Sequence, residues 1–179
     1  MPIIIDQERL AAEIEALAHF SDTPYPSVTR VLFTETDRQA RAFLKKLYAE
    51  AGLTVHEDAV GNTYARWIGG DPAAPAVATG SHTDAIPNAG RFDGVVGVLG
   101  GLEAIRALQR SGFQPQHSIE LIMFTAEEPT RFGLGCLGSR IMAGTLTSAQ
   151  LAALRDKDGL SLDQARAAAG YSGAVVSAQ

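Results

Sequence analysis

The chain has 179 residues, 46% of them hydrophobic and 20% charged, which is the composition of a single globular domain. At this length roughly 70% of the unfolded chain's surface becomes buried, so neither disulfides nor a structural metal is needed for folding. One cysteine excludes a disulfide-stapled secreted scaffold and predicts a cytoplasmic location. The net charge of −5 with scattered basic residues argues against nucleic acid as a partner, and the lack of any apolar run near ~20 residues argues against a membrane.

The first part of the chain predicts two helices followed by a hairpin. Apolar residues recur at helical spacing over residues 6–20, and Asp6 is placed to cap that helix. Asp37 opens a second amphipathic segment, which Gly52 closes just past its last turn. Short β-branched and aromatic runs within residues 53–68, separated by a Gly-Asn turn, predict two antiparallel strands.

The middle of the chain predicts a strand, a helix and a second strand. Apolar runs occupy residues 75–80 and 118–125, and residues 95–110 between them have helical length and period. This order predicts an α/β fold with a mostly parallel sheet flanked by helices. Glycines near one-turn spacing predict close packing of the helix on the sheet; they are Gly94, Gly97, Gly100 and Gly101. Two short helices are predicted after residue 144.

Chemistry-bearing side chains follow both predicted parallel strands. His82 and Asp84 come after the first strand, with Asp93 eleven residues beyond His82, and Glu127 and Glu128 come after the second. Because the carboxyl ends of parallel strands share one edge of a sheet, these groups are expected to meet there. Four carboxylates repel one another unless a cation lies among them. The pattern therefore predicts a metal site.

The five residues divide into metal ligands and supporting groups. His82 offers a neutral ring nitrogen, Asp93 can bridge two ions, and Glu128 can bind the second ion, which makes half of a dinuclear site. Asp84 can accept a hydrogen bond from the other ring nitrogen of His82. Glu127 is placed to take a proton from a metal-activated water as a general base. Two further ligands are needed, since each ion normally takes at least three protein groups.

Each motif also has a purely structural interpretation. A His-x-Asp triplet arises by chance, and Glu-Glu-Pro after a strand is commonly a solvated loop. Cys136 has no histidine near it in the sequence and is predicted to be a buried structural thiol. The glycines after Asp93 do not match the nucleotide-binding pattern G-x-G-x-x-G, so no organic cofactor is predicted. The three other histidines have no carboxylate cluster beside them and are predicted to be surface or packing residues.

Two segments resemble a known family. GSHTDAIPNAGRFDGVVGV (80–98) and FTAEEPTRFGLGCLGSR (124–140) are similar to the M20-type dinuclear metal amidohydrolases, in the branch that holds allantoate amidohydrolase, N-carbamoyl-L-amino-acid hydrolase and ureidoglycolate amidohydrolase. The sequences of these two segments are most similar to those of the ureidoglycolate amidohydrolase group. The resemblance implies that His82, Asp93 and Glu128 are the metal ligands, with Asp93 bridging two ions. It also implies that Glu127 is the general base and that Asp84 supports the ligand histidine.

The resemblance also implies a fold and a domain organisation. Family members have an α/β catalytic domain of the zinc-aminopeptidase type, interrupted by a smaller α+β domain that acts as a lid and dimerises. They are about twice as long, and their fourth ligand, a histidine, is expected a little beyond Gln179. Residues 173–179 carry no recognisable domain end. Residues 1–179 are therefore predicted to be the N-terminal part of an incomplete catalytic domain that lacks the lid and belongs to a homodimer.

The implied reaction is hydrolysis of the C–N bond of a ureido or carbamoyl compound by a hydroxide that bridges two divalent ions. The expected substrate is ureidoglycolate. Mn²⁺ or Zn²⁺ is expected, and Co²⁺ or Ni²⁺ fits the same ligands. The alternatives are an N-carbamoyl amino acid or allantoate as substrate, or a noncatalytic truncated remnant that still holds an ion. We expect this chain alone to bind metal weakly, to lack useful turnover and to expose an unpaired sheet edge.

Overall fold

The computed structural model describes residues 2–175 of the chain. Its helices are α1 Gln7–Ala18, α2 Glu35–Glu50, α3 Val95–Ser111, α4 Leu137–Met142, α5 Ser148–Ala153 and α6 Leu162–Ala168. Its strands are β1 Val28–Arg30, β2 Thr54–Glu57, β3 Thr63–Trp67, β4 Val77–His82, β5 Ala85–Ala89 and β6 Ile119–Phe124. Across these described residues, no helix combines the length and the apolar character needed to cross a bilayer. The predicted lack of a domain end at residues 173–179 falls largely outside the described part.

The main sheet has four strands in the order β2-β3-β6-β4. β4 and β6 are parallel neighbours joined by α3, with Val77 opposite Ile119 and His82 opposite Phe124. The α/β class and this strand–helix–strand unit are confirmed. The sheet is mixed rather than mostly parallel within the described chain, because the predicted hairpin turns β3 back along β2 and β6 then pairs with β3 antiparallel.

Polar caps fix the ends of the two N-terminal helices. Asp6 caps α1 as predicted, since its carboxylate accepts a hydrogen bond from Arg9 N at 3.0 Å. The predicted start of α2 at Asp37 is wrong by two residues, because Thr34 is the cap and its hydroxyl accepts from Asp37 N. Gly52 follows α2 with a φ of 73°, a left-handed conformation that confirms its predicted place after the last turn.

Three short elements carry no clear sequence pattern. β1 and β5 form a separate antiparallel pair, and β5 contains a proline and Asn88, whose φ is 59°. Strands of three to five residues with such interruptions lack the alternation that marks a strand. α4 is six residues long and includes a glycine. The two short helices predicted after residue 144 are present as α5 and α6.

Two large buried clusters, and a small third one of Ala18, Val28 and Ala85, hold the elements together. The larger joins α1, α2 and α3 to the main sheet, with fully buried side chains on each; among them are Leu17, Leu44, Leu99, Leu102 and Leu121. The smaller packs α4, α5 and α6 against the segments that flank β1 and β6; it includes Phe33, Ala126, Leu137, Leu151 and Leu162. The second cluster therefore anchors the chain just after β6, where the candidate base Glu127 and the candidate metal ligand Glu128 lie.

The sequence predicts that four glycines allow α3 to pack closely against the sheet, and three of them do so. A Cβ on Gly97 would lie 2.5 Å from Ser81 Cβ in β4, and one on Gly101 would lie 2.7 Å from Leu121 Cδ1 in β6. A Cβ on Gly94 would meet the His82 ring at 2.5 Å. Gly100 contradicts the prediction, because it points into open space with nothing within 4 Å. Close packing thus fixes the first turns of α3 against the strand that carries His82.

A buried ion pair lies between α2 and the end of the main sheet. Arg41 Nε is 3.1 Å from Asp37 Oδ2, and both side chains are almost completely inaccessible to solvent. Asp37 also accepts from Phe33 N, and Arg41 donates to the carbonyl of Gly61 at 2.8 Å. The neighbouring carboxylate keeps the pKa of Arg41 above its ordinary value despite burial, which by itself lowers that pKa. The pair is charged and joins three segments of the fold.

Asp37→Ala is expected to destabilise the chain by about 3–5 kcal/mol, because it leaves the Arg41 guanidinium buried without its counter-charge. Urea unfolding followed by circular dichroism measures this loss. The double variant Asp37→Leu with Arg41→Met removes both charges and is expected to recover part of the stability. A loss below about 1 kcal/mol in Asp37→Ala, within the range of exposed pairs, would contradict a structural role for this pair.

β4 lies at the edge of the main sheet, and within residues 2–175 no strand pairs with its second side. Its first four residues are exposed, and Val77 retains 61% of its accessible surface. An unpaired edge with an apolar side chain is a template for pairing with another chain. The unpaired sheet edge expected from the sequence is therefore present in the described chain.

We expect the purified chain to self-associate reversibly with rising concentration through this edge. Val77→Lys places a charge there and is expected to weaken the association several-fold, because pairing would then bury an ammonium group. Sedimentation equilibrium measures the change. Met142→Lys is the matched control, since Met142 is an exposed apolar residue of α4. Equal association by all three proteins would show that β4 is not the contact.

Candidate metal centre and active site

His82 ends β4 and lies in the wall of the site, with 6% of its surface exposed. Its Nδ1 is 3.0 Å from the backbone carbonyl oxygen of Asp84. Because a carbonyl can only accept, Nδ1 carries a proton in this contact, and in the neutral form of the ring the free lone pair is then on Nε2. Nε2 faces two carboxylates, with Asp93 Oδ1 at 3.8 Å and Glu127 Oε2 at 3.5 Å. This is the tautomer and orientation of a metal-ligating histidine.

Asp84 links the two strand ends. Its buried carboxylate accepts hydrogen bonds from Glu128 N at 3.0 Å and Glu127 N at 3.3 Å. The sequence predicts that this carboxylate accepts from the His82 ring. In the structure it is 3.7 Å from Nδ1, and the backbone carbonyl of Asp84 makes that contact instead. Burial raises the pKa of Asp84 to about 6, since desolvation disfavours the charged carboxylate.

Asp93 lies immediately before α3 and reaches the site from a third direction. Its side chain is 64% exposed, in contrast to His82. The following residue, Gly94, has a φ of 65° and passes so close to the imidazole that a Cβ would collide with it. A residue with a side chain at position 94 would therefore push Asp93 away from His82. The predicted placement of these two residues at one edge of the sheet is confirmed.

Glu127 and Glu128 lie on the loop after β6, as the sequence predicts. Glu127 is 41% exposed, and its carboxylate faces His82 Nε2. Burial, followed by the charge of Glu127, raises the pKa of Glu128, while the charge of Asp93 acts in the same direction. Ala126 precedes them with a φ of 50°, a left-handed conformation uncommon for alanine. The carboxylates of Asp93 and Glu127 thus face one imidazole nitrogen, and the neighbouring Glu128 adds further negative charge to this cluster.

The donor set fits a divalent cation, although residues 2–175 contain no group of three His, Cys, Asp or Glu side chains already arranged to hold one. A free imidazole nitrogen and carboxylate oxygens are the ligands of Zn²⁺ and of the related first-row ions. The carboxylates also lack a neighbouring lysine or arginine among the described ion pairs of this cluster. A bound cation would relieve their mutual repulsion.

Cys136 contradicts the prediction of a buried thiol, because it is exposed at the rim of the site. Its Sγ lies 3.4 Å from Glu127 Oε1, and this hydrogen bond raises the pKa of the thiol. A φ of 57° turns its backbone toward the loop after β6 and its side chain outward. Gly135 and Gly138, which lie close to Cys136 in the sequence, are the signal from which this tight backbone segment could have been predicted.

The three other histidines make contacts away from this cluster, as predicted. His19 and His56 stack on Tyr25 and Tyr64, and His117 Nδ1 contacts the carbonyl of Pro75.

The sequence of this chain is similar to those of known hydrolases. The sequence model described as peptidase family M28 matches residues 62–168. "Ureidoglycolate hydrolase" of Oryza sativa subsp. japonica is 55% identical over 171 residues, which cover 95% of this chain and 35% of the rice protein. "N-carbamoyl-L-amino acid amidohydrolase" of Geobacillus stearothermophilus is 42% identical over 167 residues, or 93% of this chain and 41% of the relative. The chain thus spans between a third and a half of the length of these relatives.

A solved structure has the same fold over the same region. The crystal structure of AtUAH in complex with glyoxylate superposes with a TM-score of 0.91 at 54% identity, covering 94% of this chain and 40% of that one. The likeness to the ureidoglycolate and carbamoyl branch expected from the motifs is confirmed. The matching model bears the M28 description rather than the M20 type. Because that model spans more than half of the sequence, the chain belongs to peptidase family M28.

Proposed function

We propose that this chain is the N-terminal part of the catalytic domain of a metal-dependent amidohydrolase. The proposed substrate is a ureido or carbamoyl compound, with ureidoglycolate first, and the bond cleaved is a C–N bond. The observation that carries the proposal is the free Nε2 of buried His82, which faces the carboxylates of Asp93 and Glu127 within 3.8 Å. This arrangement supplies a neutral ligand, anionic ligands and a candidate base at one edge of the sheet.

His82, Asp93 and Glu128 would hold divalent ions in this site, with Asp93 suited to bridge a pair because of its exposed two-oxygen carboxylate. Two ions of Mn²⁺ or Zn²⁺ are proposed, and Co²⁺ or Ni²⁺ suits the same donors. When bound, such ions polarise a carbonyl group and make water acidic enough to lose a proton near neutral pH. The ligands from this chain are fewer than two ions require, so the proposal places the others in the remainder of a longer protein.

Glu127 is proposed as the general base. Its carboxylate is 41% exposed and lies beside the His82 ring, so it can reach both water and substrate. It can accept a proton from the attacking water and return it to the leaving nitrogen. Asp84 holds the backbone of Glu127 and Glu128 through two hydrogen bonds, which keeps the base and the proposed ligand in fixed register.

The relatives support ureidoglycolate above the alternatives, because the plant ureidoglycolate hydrolases are 55% identical to the chain and the carbamoyl amidohydrolases reach 42%. An N-carbamoyl amino acid remains the second candidate substrate, and allantoate the third. A noncatalytic remnant that holds an ion is the remaining alternative. A lid domain elsewhere in the full protein, a homodimer and a cytoplasmic location stay predictions.

Titration of the chain with Mn²⁺ and then Zn²⁺ is expected to give saturable heat and a raised melting temperature. A ligand that binds only the folded state stabilises it by about 2.7 kcal/mol at 100 times its dissociation constant. His82→Ala is expected to weaken binding at least tenfold, because it removes the buried ring ligand. His117→Ala is the matched control, since His117 is an exposed histidine whose ring contacts a backbone carbonyl. No response at millimolar metal would contradict the proposed site.

A chimera tests the catalytic proposal. This chain would replace the aligned 171 residues of the rice ureidoglycolate hydrolase, and ammonia release would be measured with ureidoglycolate and with an N-carbamoyl amino acid. The chimera is expected to prefer ureidoglycolate, and Glu127→Gln is expected to slow it roughly 10²- to 10⁴-fold while metal still binds. Glu50→Gln, on the exposed end of α2, is the control.

The chimera experiment separates the alternatives. Because about two thirds of the chimera is rice protein, its substrate preference is compared with that of the intact rice protein. A shift toward the carbamoyl compound relative to that protein would replace the proposed substrate by the second candidate. A chimera that folds and binds metal but turns over neither compound would favour the remnant. Appreciable hydrolysis by the 179-residue chain alone would contradict the proposal that this part lacks useful turnover.

A further inference from the structure

The backbone of the loop that carries Glu127 and Glu128 makes hydrogen bonds on two sides. Its amides at positions 127 and 128 donate to Asp84. Its carbonyl groups accept from the segment that leads into α4, in reverse order; the pairs are Gly138 N to Thr125 O at 2.8 Å, Leu137 N to Ala126 O at 2.8 Å and Cys136 N to Glu127 O at 2.7 Å. This two-sided pairing holds the loop backbone from Thr125 to Glu128.

The side chain of Asn62 makes further hydrogen bonds to the backbone on both sides of this loop. It is completely buried at the start of β3, and its Oδ1 accepts from Thr125 N at 2.9 Å. Its Nδ2 donates to Asp58 Oδ2 at 2.8 Å and to the carbonyl of Gly138 at 3.2 Å. One amide side chain therefore binds the end of β6 and the start of α4 at the same time. A buried amide with both ends satisfied specifies one geometry.

Gly138 makes this contact possible. A Cβ at that position would lie 2.1 Å from Asn62 Oδ1 and 2.7 Å from the carbonyl oxygen of Thr125. Both distances are far below van der Waals contact, and two of the neighbouring atoms belong to fixed backbone. A Cβ at Gly135 would similarly lie 2.9 Å from the carbonyl oxygen of Glu127. The glycines of the Gly133–Arg140 motif therefore allow α4 to approach the loop.

The same contacts hold Ala126 in its left-handed conformation. Its φ is 50°, and it lies between Thr125, which Asn62 binds, and Glu127. A residue with a Cβ persists there only where the surrounding structure determines the backbone. Loss of the contacts to Thr125 would let Ala126 relax to an ordinary conformation. That rotation would carry both glutamate side chains away from His82.

We propose that Asn62 and Gly138 are positioning residues for Glu127 and Glu128. They touch no reacting atom, and they act through the backbone of Thr125. Their effect on metal affinity rests on the proposed function, whereas their effect on the backbone of the loop does not. The inference thus assigns a role to Asn62 in the β2–β3 turn and to Gly138 in the first turn of α4, which the proposed mechanism leaves without one.

The test combines local hydrogen exchange with metal affinity in the full chain. Asn62→Leu and Gly138→Ala are expected to speed exchange of the amides of residues 125, 127 and 128, and to weaken Mn²⁺ binding roughly 10- to 100-fold, the usual effect of disturbing groups that orient ligands. The double variant Asn62→Asp with Asp58→Asn keeps the acceptor for Thr125 N and an amide–carboxylate contact between positions 58 and 62, and it is expected to lose less protection than Asn62→Leu.

Two controls separate positioning from general stability. Ile105→Ala opens the core about 18 Å along α3 from Asp93, and it is expected to lower the melting temperature while leaving exchange of the loop and the metal dissociation constant unchanged. Gly100→Ala adds a methyl group in open space and controls for Gly138→Ala.

The outcomes distinguish this inference from the proposed function. Faster loop exchange in Asn62→Leu and Gly138→Ala, with no metal binding by the unaltered chain, would overturn the metal site and keep the positioning role. Unaltered loop exchange in both variants, or loop exchange and metal affinity that change only as much as in Ile105→Ala, would overturn the positioning role. If Asn62→Leu does not fold, Gly138→Ala and the double variant Asn62→Asp with Asp58→Asn decide by the same two measurements.

Discussion

Asp84 makes the contacts on which the geometry of the site depends. Its backbone carbonyl accepts from Nδ1 of His82, which fixes the ring tautomer, and its carboxylate accepts from the amides of Glu127 and Glu128. One residue therefore sets both the imidazole at the end of β4 and the two glutamates after β6. The parallel pairing of these strands brings the two ends to the same edge, and Asp84 converts that proximity into a fixed arrangement.

Buried polar side chains support this arrangement from behind. Arg30 is almost fully buried and donates to the carbonyls of Leu17, Phe20 and Thr83, so it holds the residue between His82 and Asp84; burial lowers its pKa to about 10, which still leaves it charged at neutral pH. The Arg41–Asp37 pair and Asn62 support the end of β6 in the same way. Well-packed apolar side chains of similar volume would serve stability alone equally well, because buried charges carry a large desolvation cost. Their value lies in the single geometry that they specify.

The candidate site is buried on one side and exposed to solvent on the other. His82 and Asp84 are buried, whereas the side chains of Asp93 and Glu127 are 64% and 41% exposed. The exposed edge of β4 lies on the strand that carries His82. These features agree with relatives that are more than twice the length of the aligned segment. In a longer chain, further structure on this side would exclude water and complete the ligand shell, which strengthens electrostatic interactions in the site.

The sequence by itself determined the α/β class, the β4–α3–β6 unit and the meeting of His82, Asp93 and Glu127, because hydrophobic period and strand-end position are local signals. It did not determine that the sheet is mixed, since strand partners are chosen by contacts distant in sequence. It also missed the exposure of Cys136, the start of α2 and the short strands β1 and β5. The bonds made by Asp84 and the contact of Asn62 with Thr125 were decided by tertiary structure alone. The bonds from the amides of Glu127 and Glu128 to the Asp84 carboxylate, and from Thr125 N to Asn62, join residues more than 40 positions apart, so no local pattern records them.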